Sequence, residues 1–152
     1  MRLTRSEHAV LRAVAEELEP VLAGRQDVAG ATQRLYPRAY DDDGAEAEYR
    51  DLVGDDLVGE RLAALATFAR TLDATSPARL GWGIDLDADE AAAWLATVND
   101  ARLVLGCALG ITDERAWDEG PHTANPASVA LHYLGWLQEQ LLAALATTLP
   151  TP

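Results

Sequence analysis

The 152-residue chain carries 25 acidic side chains against 12 basic ones, for a formal net charge of −13. Chains of this length commonly fold as one unit, so we expect residues 1–152 to form a single helical domain. An acidic surface repels phosphate backbones, which disfavours nucleic acid as a partner, and the longest uncharged apolar run, residues 103–112, is too short to cross a membrane.

The N-terminal segment passes directly into an amphipathic pattern and lacks the apolar stretch of a signal peptide. The single cysteine, Cys107, cannot form an intramolecular disulfide and fits a reducing compartment. We therefore expect a cytoplasmic protein with no membrane partner. Cys107 is interpreted as a packing residue, because the sequence predicts no cluster of bases beside it that would lower its pKa.

Apolar residues recur at intervals of three and four positions, which predicts an all-α fold, a compact bundle of about five helices. The first helix is expected over about residues 6–22, and it begins with a capping box between Thr4 and Glu7. A second helix is expected over residues 43–54, where a glycine ends it. A third carries an apolar stripe over residues 57–72.

The second half of the chain begins with residues 79–86, whose two glycines around Trp82 predict a loop that lies against the bundle. A fourth helix is expected to start at the cap Asp87 and to end near Leu109. A fifth begins at Pro126, where the missing N–H of proline costs no hydrogen bond. We expect helix four to lie at the centre of the core.

Polar side chains interrupt the apolar faces of the last two helices: Asn99, Arg102 and Gln138. Arg102 falls in the middle of the apolar face of helix four, whereas Asp100 points to the opposite side. Buried charges are normally paired, so we interpret Arg102 as part of an ion pair or a bridge to loop carbonyls. Asn99 and Gln138 are interpreted as amides that tie helices to loops. The alternative is a polar site around Arg102 that binds an anion or acts in catalysis.

The polar face of helix five carries a candidate interaction surface, formed by His132, Trp136 and Glu139. We expect Trp136 to be more exposed than a tryptophan usually is. The alternative is that the loop over residues 111–125, with Trp117, covers it. The other face of this helix is predicted to be its apolar, core-facing side: Ala130, Leu131, Leu134, Leu137, Leu141, Leu142 and Leu145.

Residues 41–60 contain nine acidic side chains and one arginine. We interpret them as a solvated helix start that complements the helix dipole. An EF-hand loop aligned on Gly44 would place Ala39 and Arg50 at its first and last ligand positions, so that motif fails at both ends. A weak divalent-ion site and a docking surface for a basic partner stay open. We predict no metal site, since the histidines lie on separate elements: His8, His122 and His132. We also predict no cofactor and no catalytic residue, because the sequence has no glycine-rich phosphate loop and no paired acids at a spacing that demands acid–base chemistry.

The helix-four string Trp-Leu-Ala-Thr-Val-Asn-Asp-Ala-Arg-Leu-Val-Leu-Gly, residues 94–106, occurs together with Leu-Tyr-Pro at 35–37 and Trp-Leu-Gln at 136–138. This combination resembles an actinobacterial family of uncharacterised all-helical domains, a domain of unknown function. The resemblance covers almost the whole chain. It implies an intracellular protein, sometimes labelled a transcriptional regulator, whose gene often lies near that of the Clp protease adaptor. It implies no catalytic residue.

Three functions are compatible with these observations. The one we favour is a non-catalytic protein-interaction or accessory protein, whose partner is another protein. The first alternative is a small-ligand-binding protein or enzyme built around Arg102. The second is a DNA-binding regulator, which would need dimerisation and a cationic patch from dispersed arginines: Arg2, Arg5, Arg12, Arg34 and Arg38. The sequence leaves open whether the chain forms a homodimer.

Overall fold

The computed structural model describes residues 1–78, 81–111 and 125–148. These ranges contain five helices: α1 (Arg5–Leu22), α2 (Ala31–Leu35), α3 (Asp43–Asp73), α4 (Ala88–Ala108) and α5 (Pro126–Thr148). The expected all-α fold, a compact bundle of about five helices, is confirmed. Within the same ranges, no helix is both long enough and apolar enough to cross a membrane.

Local capping signals set the helix starts. Thr4 Oγ1 accepts the amide N–H of Glu7 at 3.2 Å, and the Glu7 carboxylate accepts the Thr4 amide N–H in return. Asp87 and Glu90 form the same reciprocal box at the start of α4. Pro126 is the first residue of α5. The three helix starts expected from these caps and from proline are confirmed.

The helix α3 is one continuous element of 31 residues, about 46 Å long. The expectation of two helices separated at Gly54 is therefore wrong. A glycine inside a helix costs only about 1 kcal/mol relative to alanine. The apolar residues on both sides of Gly54 follow one helical register, so continuing the helix preserves its backbone hydrogen bonds.

A small antiparallel sheet packs against α1. Its strands are β1 (Arg2–Leu3), β2 (Pro77–Ala78) and β3 (Gly81–Gly83), in the spatial order β1-β3-β2. Gly81 has φ +104°, and a Cβ atom there would lie 2.4 Å from the carbonyl oxygen of Leu3. Residues 79–86 were expected to form a loop, but they contain the strand β3. Only glycine at position 81 allows this strand to lie so close to β1.

The core is built around α4, which contacts α1, α2, α3 and α5. Trp94 is fully buried, its ring lies 4.4 Å from that of Phe68, and its Nε1–H donates to Thr71 Oγ1 at 2.7 Å. The expected central position of helix four is confirmed. Its far side is buried as well, because α4 lies between α3 and α5: Thr97 and Asp100 are each 2% exposed.

Candidate functional site

Arg102 and Gln138, two of the polar residues expected to interrupt the apolar faces, meet between α4 and α5. Arg102 Nη1 donates to Gln138 Oε1. Both side chains are only partly buried. This bond ties one helix to another, and the ion pair or bridge to loop carbonyls suggested by the sequence stays a prediction. Asn99 is exposed, one turn before Arg102 on α4.

The outward side of α5 exposes large apolar groups. Trp136 is 49% exposed, as expected from its place on the polar face, and Leu142 is 48% exposed. The assignment of Leu142 to the core-facing side is therefore wrong, because this residue lies at the edge of the apolar stripe. Glu139 is exposed between them, and His132 is half-buried, with Nδ1 2.9 Å from the Ser128 carbonyl oxygen. We call these residues the α5 surface: His132, Trp136, Glu139 and Leu142.

A concavity of about 500 Å³ joins the α5 surface to the Arg102–Gln138 pair. Gly135 contributes no side chain to its lining, and Arg102 reaches it from α4. The candidate interaction surface and most of the candidate polar site therefore form one continuous region. The alternative that a loop covers Trp136 concerns residues 112–124, including Trp117, which lie outside the described residues.

A second concavity, of about 250 Å³, lies on the other side of Arg102. Asn99 lines it together with Arg102 and with Arg34 of α2. The three candidate polar residues are thus divided between two depressions, with Arg102 in both. Sequence reasoning did not place Arg34 near Asn99, since the two residues lie on helices distant in the chain.

The most deeply buried ion pair of the described residues joins α3 to α4 and was missed by the sequence interpretation. Arg61 Nη1 donates to Asp100 Oδ1. Arg61 Nη2 donates to the Leu35 carbonyl at 2.8 Å, and its guanidinium carbon lies 5.2 Å from the centre of the Tyr36 ring. One signal was present in the sequence: Arg61 lies four residues after Leu57 and four before Leu65, on the apolar stripe.

Glu46 organises the segment between α2 and α3. Its carboxylate accepts the amide N–H groups of Ala39 and Tyr40 at 2.9 and 3.0 Å, and it pairs with Arg50. The hydrogen bond from Arg50, followed by those two amides, holds the pKa of Glu46 below its ordinary value. Asp42 caps α3. This part of the acidic segment is a helix start, as expected, but Glu46 itself is buried.

Metal-ligating side chains do not converge in the described part of the chain. No group of three or more His, Cys, Asp or Glu side chains there could hold a metal ion. His8 stacks on Trp82, with ring centroids 4.1 Å apart, and lies far in sequence from His132 on α5. Cys107 packs against the core. His122 lies outside the described residues.

Residues 1–145 match the family model described as Domain of unknown function (DUF2017). The chain belongs to this family. The resemblance drawn from the helix-four string is thereby confirmed at the level of an uncharacterised domain family. No curated protein and no solved structure matches the chain.

Proposed function

We propose that this DUF2017 chain is a non-catalytic accessory protein that binds another protein through the α5 surface. The observation that carries the proposal is the exposure of Trp136 and Leu142, each about half accessible, in the lining of one concavity. Tryptophan and arginine are the residues that most often dominate binding energy at protein interfaces. Both line this concavity, as Trp136 and Arg102.

The chemistry of the concavity fits an apolar side chain inserted by the partner. Trp136 and Leu142 offer apolar contact, and the polar groups of Glu139 and Gln138 stand beside them. An apolar centre with a polar rim is the usual anatomy of a specific interface. The Arg102–Gln138 bond would hold two of the lining side chains in place before the partner binds.

The acidic segment, residues 41–60, supports a basic partner. Its acidic side chains are exposed apart from Glu46. Clusters of one sign raise the rate at which an oppositely charged protein associates, with a smaller effect on the final affinity. In this proposal the acidic segment steers the partner, and the α5 surface supplies the binding energy.

The DNA-binding alternative is weakened because two of the arginines that it requires form ion pairs with carboxylates. Arg12 pairs with Asp73, and Arg38 pairs with Asp43. Two of the five side chains required for a cationic patch are therefore neutralised by neighbouring carboxylates. The net charge of −13 opposes DNA binding further.

The cellular setting is part of the same proposal. We infer a cytoplasmic protein of actinobacterial origin, encoded near the Clp protease adaptor. The support is the resemblance carried by the helix-four string, together with the single cysteine of the sequence.

Site-specific photo-cross-linking in living cells tests the proposal. A photoreactive amino acid replaces Trp136 in one variant and Ala13, an exposed residue of α1, in the control. The proposal expects one discrete protein cross-linked from position 136 and absent from position 13. Equal cross-linking from both positions, or cross-linking from position 136 only to a second copy of the chain, contradicts it.

A further inference from the structure

The second concavity, between α2 and α4, collects positive charge in a strongly negative protein. Its lining includes Arg34, Arg102, Asn99, Gly106 and Leu131, and no acidic side chain of the described residues contributes to it. We propose that this depression is a binding site for a small oxyanion of the phosphate class. We call it the Arg34 site. It shares Arg102 with the concavity of the α5 surface, but it does not depend on the function proposed above.

The charge of Arg34 is the first support. Six of the ten arginines in the described ranges form ion pairs with carboxylates of the same ranges: Arg12, Arg25, Arg38, Arg50, Arg61 and Arg70. Arg34 makes no such pair within those ranges, although acidic residues outnumber basic ones two to one in the chain. A guanidinium group matches the geometry of phosphate oxygens and can bind two of them at once.

The donors on α4 are the second support. Asn99, Arg102 and Gly106 lie three and four residues apart, so they share one face of the helix. Asn99 offers an exposed side-chain amide with two N–H donors. The bond from Arg102 to Gln138 fixes the orientation of its guanidinium group. Arg34 reaches the same space from α2, so the donors come from two helices that contact each other.

The shape of the site limits the ligand. A Cβ atom at Gly106 would meet no other atom within 4 Å, so the absence of a side chain there leaves open space along α4. The volume of about 250 Å³ is below the roughly 300–1,000 Å³ of pockets that enclose drug-sized ligands. A free phosphate or a small phosphate ester fits this space, whereas a nucleotide would extend beyond it.

The test is a titration of the ¹⁵N-labelled full chain with inorganic phosphate, and separately with O-phosphoserine, followed by NMR. We expect saturable shifts centred on the amides of Asn99 and Gly106. Saturation by both probes at similar concentrations indicates a site for the free anion, and tighter binding of O-phosphoserine indicates a phosphate ester. Absence of saturable shifts with either probe overturns the proposal.

Matched variants distinguish phosphate binding at the Arg34 site from nonspecific attraction between phosphate and exposed arginines. Arg34→Gln is expected to weaken phosphate binding about tenfold or more, because a hydrogen bond to a charged group is lost. Gly106→Leu fills the depression without changing the charge and should abolish binding. Arg5→Gln removes the same charge from an exposed position outside the site and should leave binding unchanged. Equal weakening in Arg34→Gln and Arg5→Gln contradicts a built site.

The two proposals fail independently. Neither Arg34 nor Gly106 lines the concavity of the α5 surface. A chain that binds no phosphate but cross-links to a protein from position 136 loses only the Arg34 site. A chain that binds phosphate but shows no such cross-link loses only the accessory function.

Discussion

Arg61 of α3 and Asp100 of α4 form an ion pair inside the bundle. The Asp100 side chain is 3% exposed, and burial raises its pKa although the hydrogen bond from Arg61 opposes that change. The same guanidinium group donates to the carbonyl of Leu35 at the end of α2. One arginine therefore fixes the relative positions of three helices.

Removing Arg61 should be far more costly than removing an exposed arginine. Arg61→Ala leaves a carboxylate buried without its partner, which costs about 3–5 kcal/mol of unfolding free energy. Arg12→Ala breaks an exposed pair with Asp73 and should cost less than about 1 kcal/mol. Urea denaturation of both variants measures the difference. Similar losses in the two variants would show that the Arg61–Asp100 pair does not hold the helices together.

Replacing both partners together gives a sharper test of the same pair. In the double variant Arg61→Met, Asp100→Leu, no charge is left buried. Apolar replacements of buried ion pairs are often close to neutral, so we expect the double variant to be more stable than Arg61→Met alone. A double variant that is less stable than this single variant would mean that the unpaired Asp100 carboxylate is not the cause of the loss in Arg61→Met.

The pH dependence of stability should contain a contribution from Glu46. Its pKa is lower in the folded protein than its ordinary value of 4.5. Its carboxylate therefore stabilises the fold above about pH 4.5, and this contribution disappears as the pH falls through the folded pKa. We expect Glu46→Gln to be less stable than the parent at pH 7, with a difference that shrinks in acid.

Denaturation of both proteins at a series of pH values measures this effect. Glu48→Gln, a change at an exposed position on the same helix, is the control and should follow the parent at every pH. A difference between Glu46→Gln and the parent that stays constant from neutral to acidic pH would contradict the assignment to the carboxylate.

The buried indole of Trp94 depends on Thr71. Thr71→Val removes the acceptor of the Trp94 Nε1–H and leaves that donor buried without a partner, which costs about 1–3 kcal/mol. Thr67→Val, one turn earlier and only partly buried, should cost less. Thermal unfolding, monitored by circular dichroism, measures which of the two variants loses more stability. A larger loss for Thr67→Val would contradict it.

Truncation of the tryptophans on α4 and α5 should have very different effects on stability. Trp94→Ala empties a fully buried position and should cost about 3–5 kcal/mol. Trp136→Ala removes a half-exposed ring and should change stability by less than about 1 kcal/mol. The free energies of unfolding in urea measure both effects. A strongly destabilised Trp136→Ala would indicate that this ring serves the fold rather than a partner.

Sequence patterns predicted the elements of the fold that depend on neighbouring residues. The caps at Thr4 and Asp87 and the proline at 126 act within one helical turn, and each marks a real helix start. The continuity of α3 and the pairing of β1 with β3 depend on contacts across the fold. The Leu3–Trp82 register joins residues that no local pattern relates.

The candidate site was predictable only in part, for a related reason. Helical periodicity identified Arg102 and Gln138 as polar residues on apolar faces, and the two side chains do meet. The same periodicity placed Asp100 on a different side of the helix. It could not show that α2 and α3 cover that side. Arg61 and Asp100 are 39 positions apart, so their pairing follows from helix packing and not from either helix alone.

Affinity purification from the native host, with the tagged gene at its own locus, tests the accessory function most directly. Quantitative mass spectrometry compares the parent with Trp136→Ala and with Val129→Ala, an exposed apolar residue of α5 outside the concavity. We predict one near-stoichiometric protein that is retained by the parent and Val129→Ala and lost from Trp136→Ala. The same set of proteins at the same abundance in all three samples would contradict the claim that the α5 surface binds a partner.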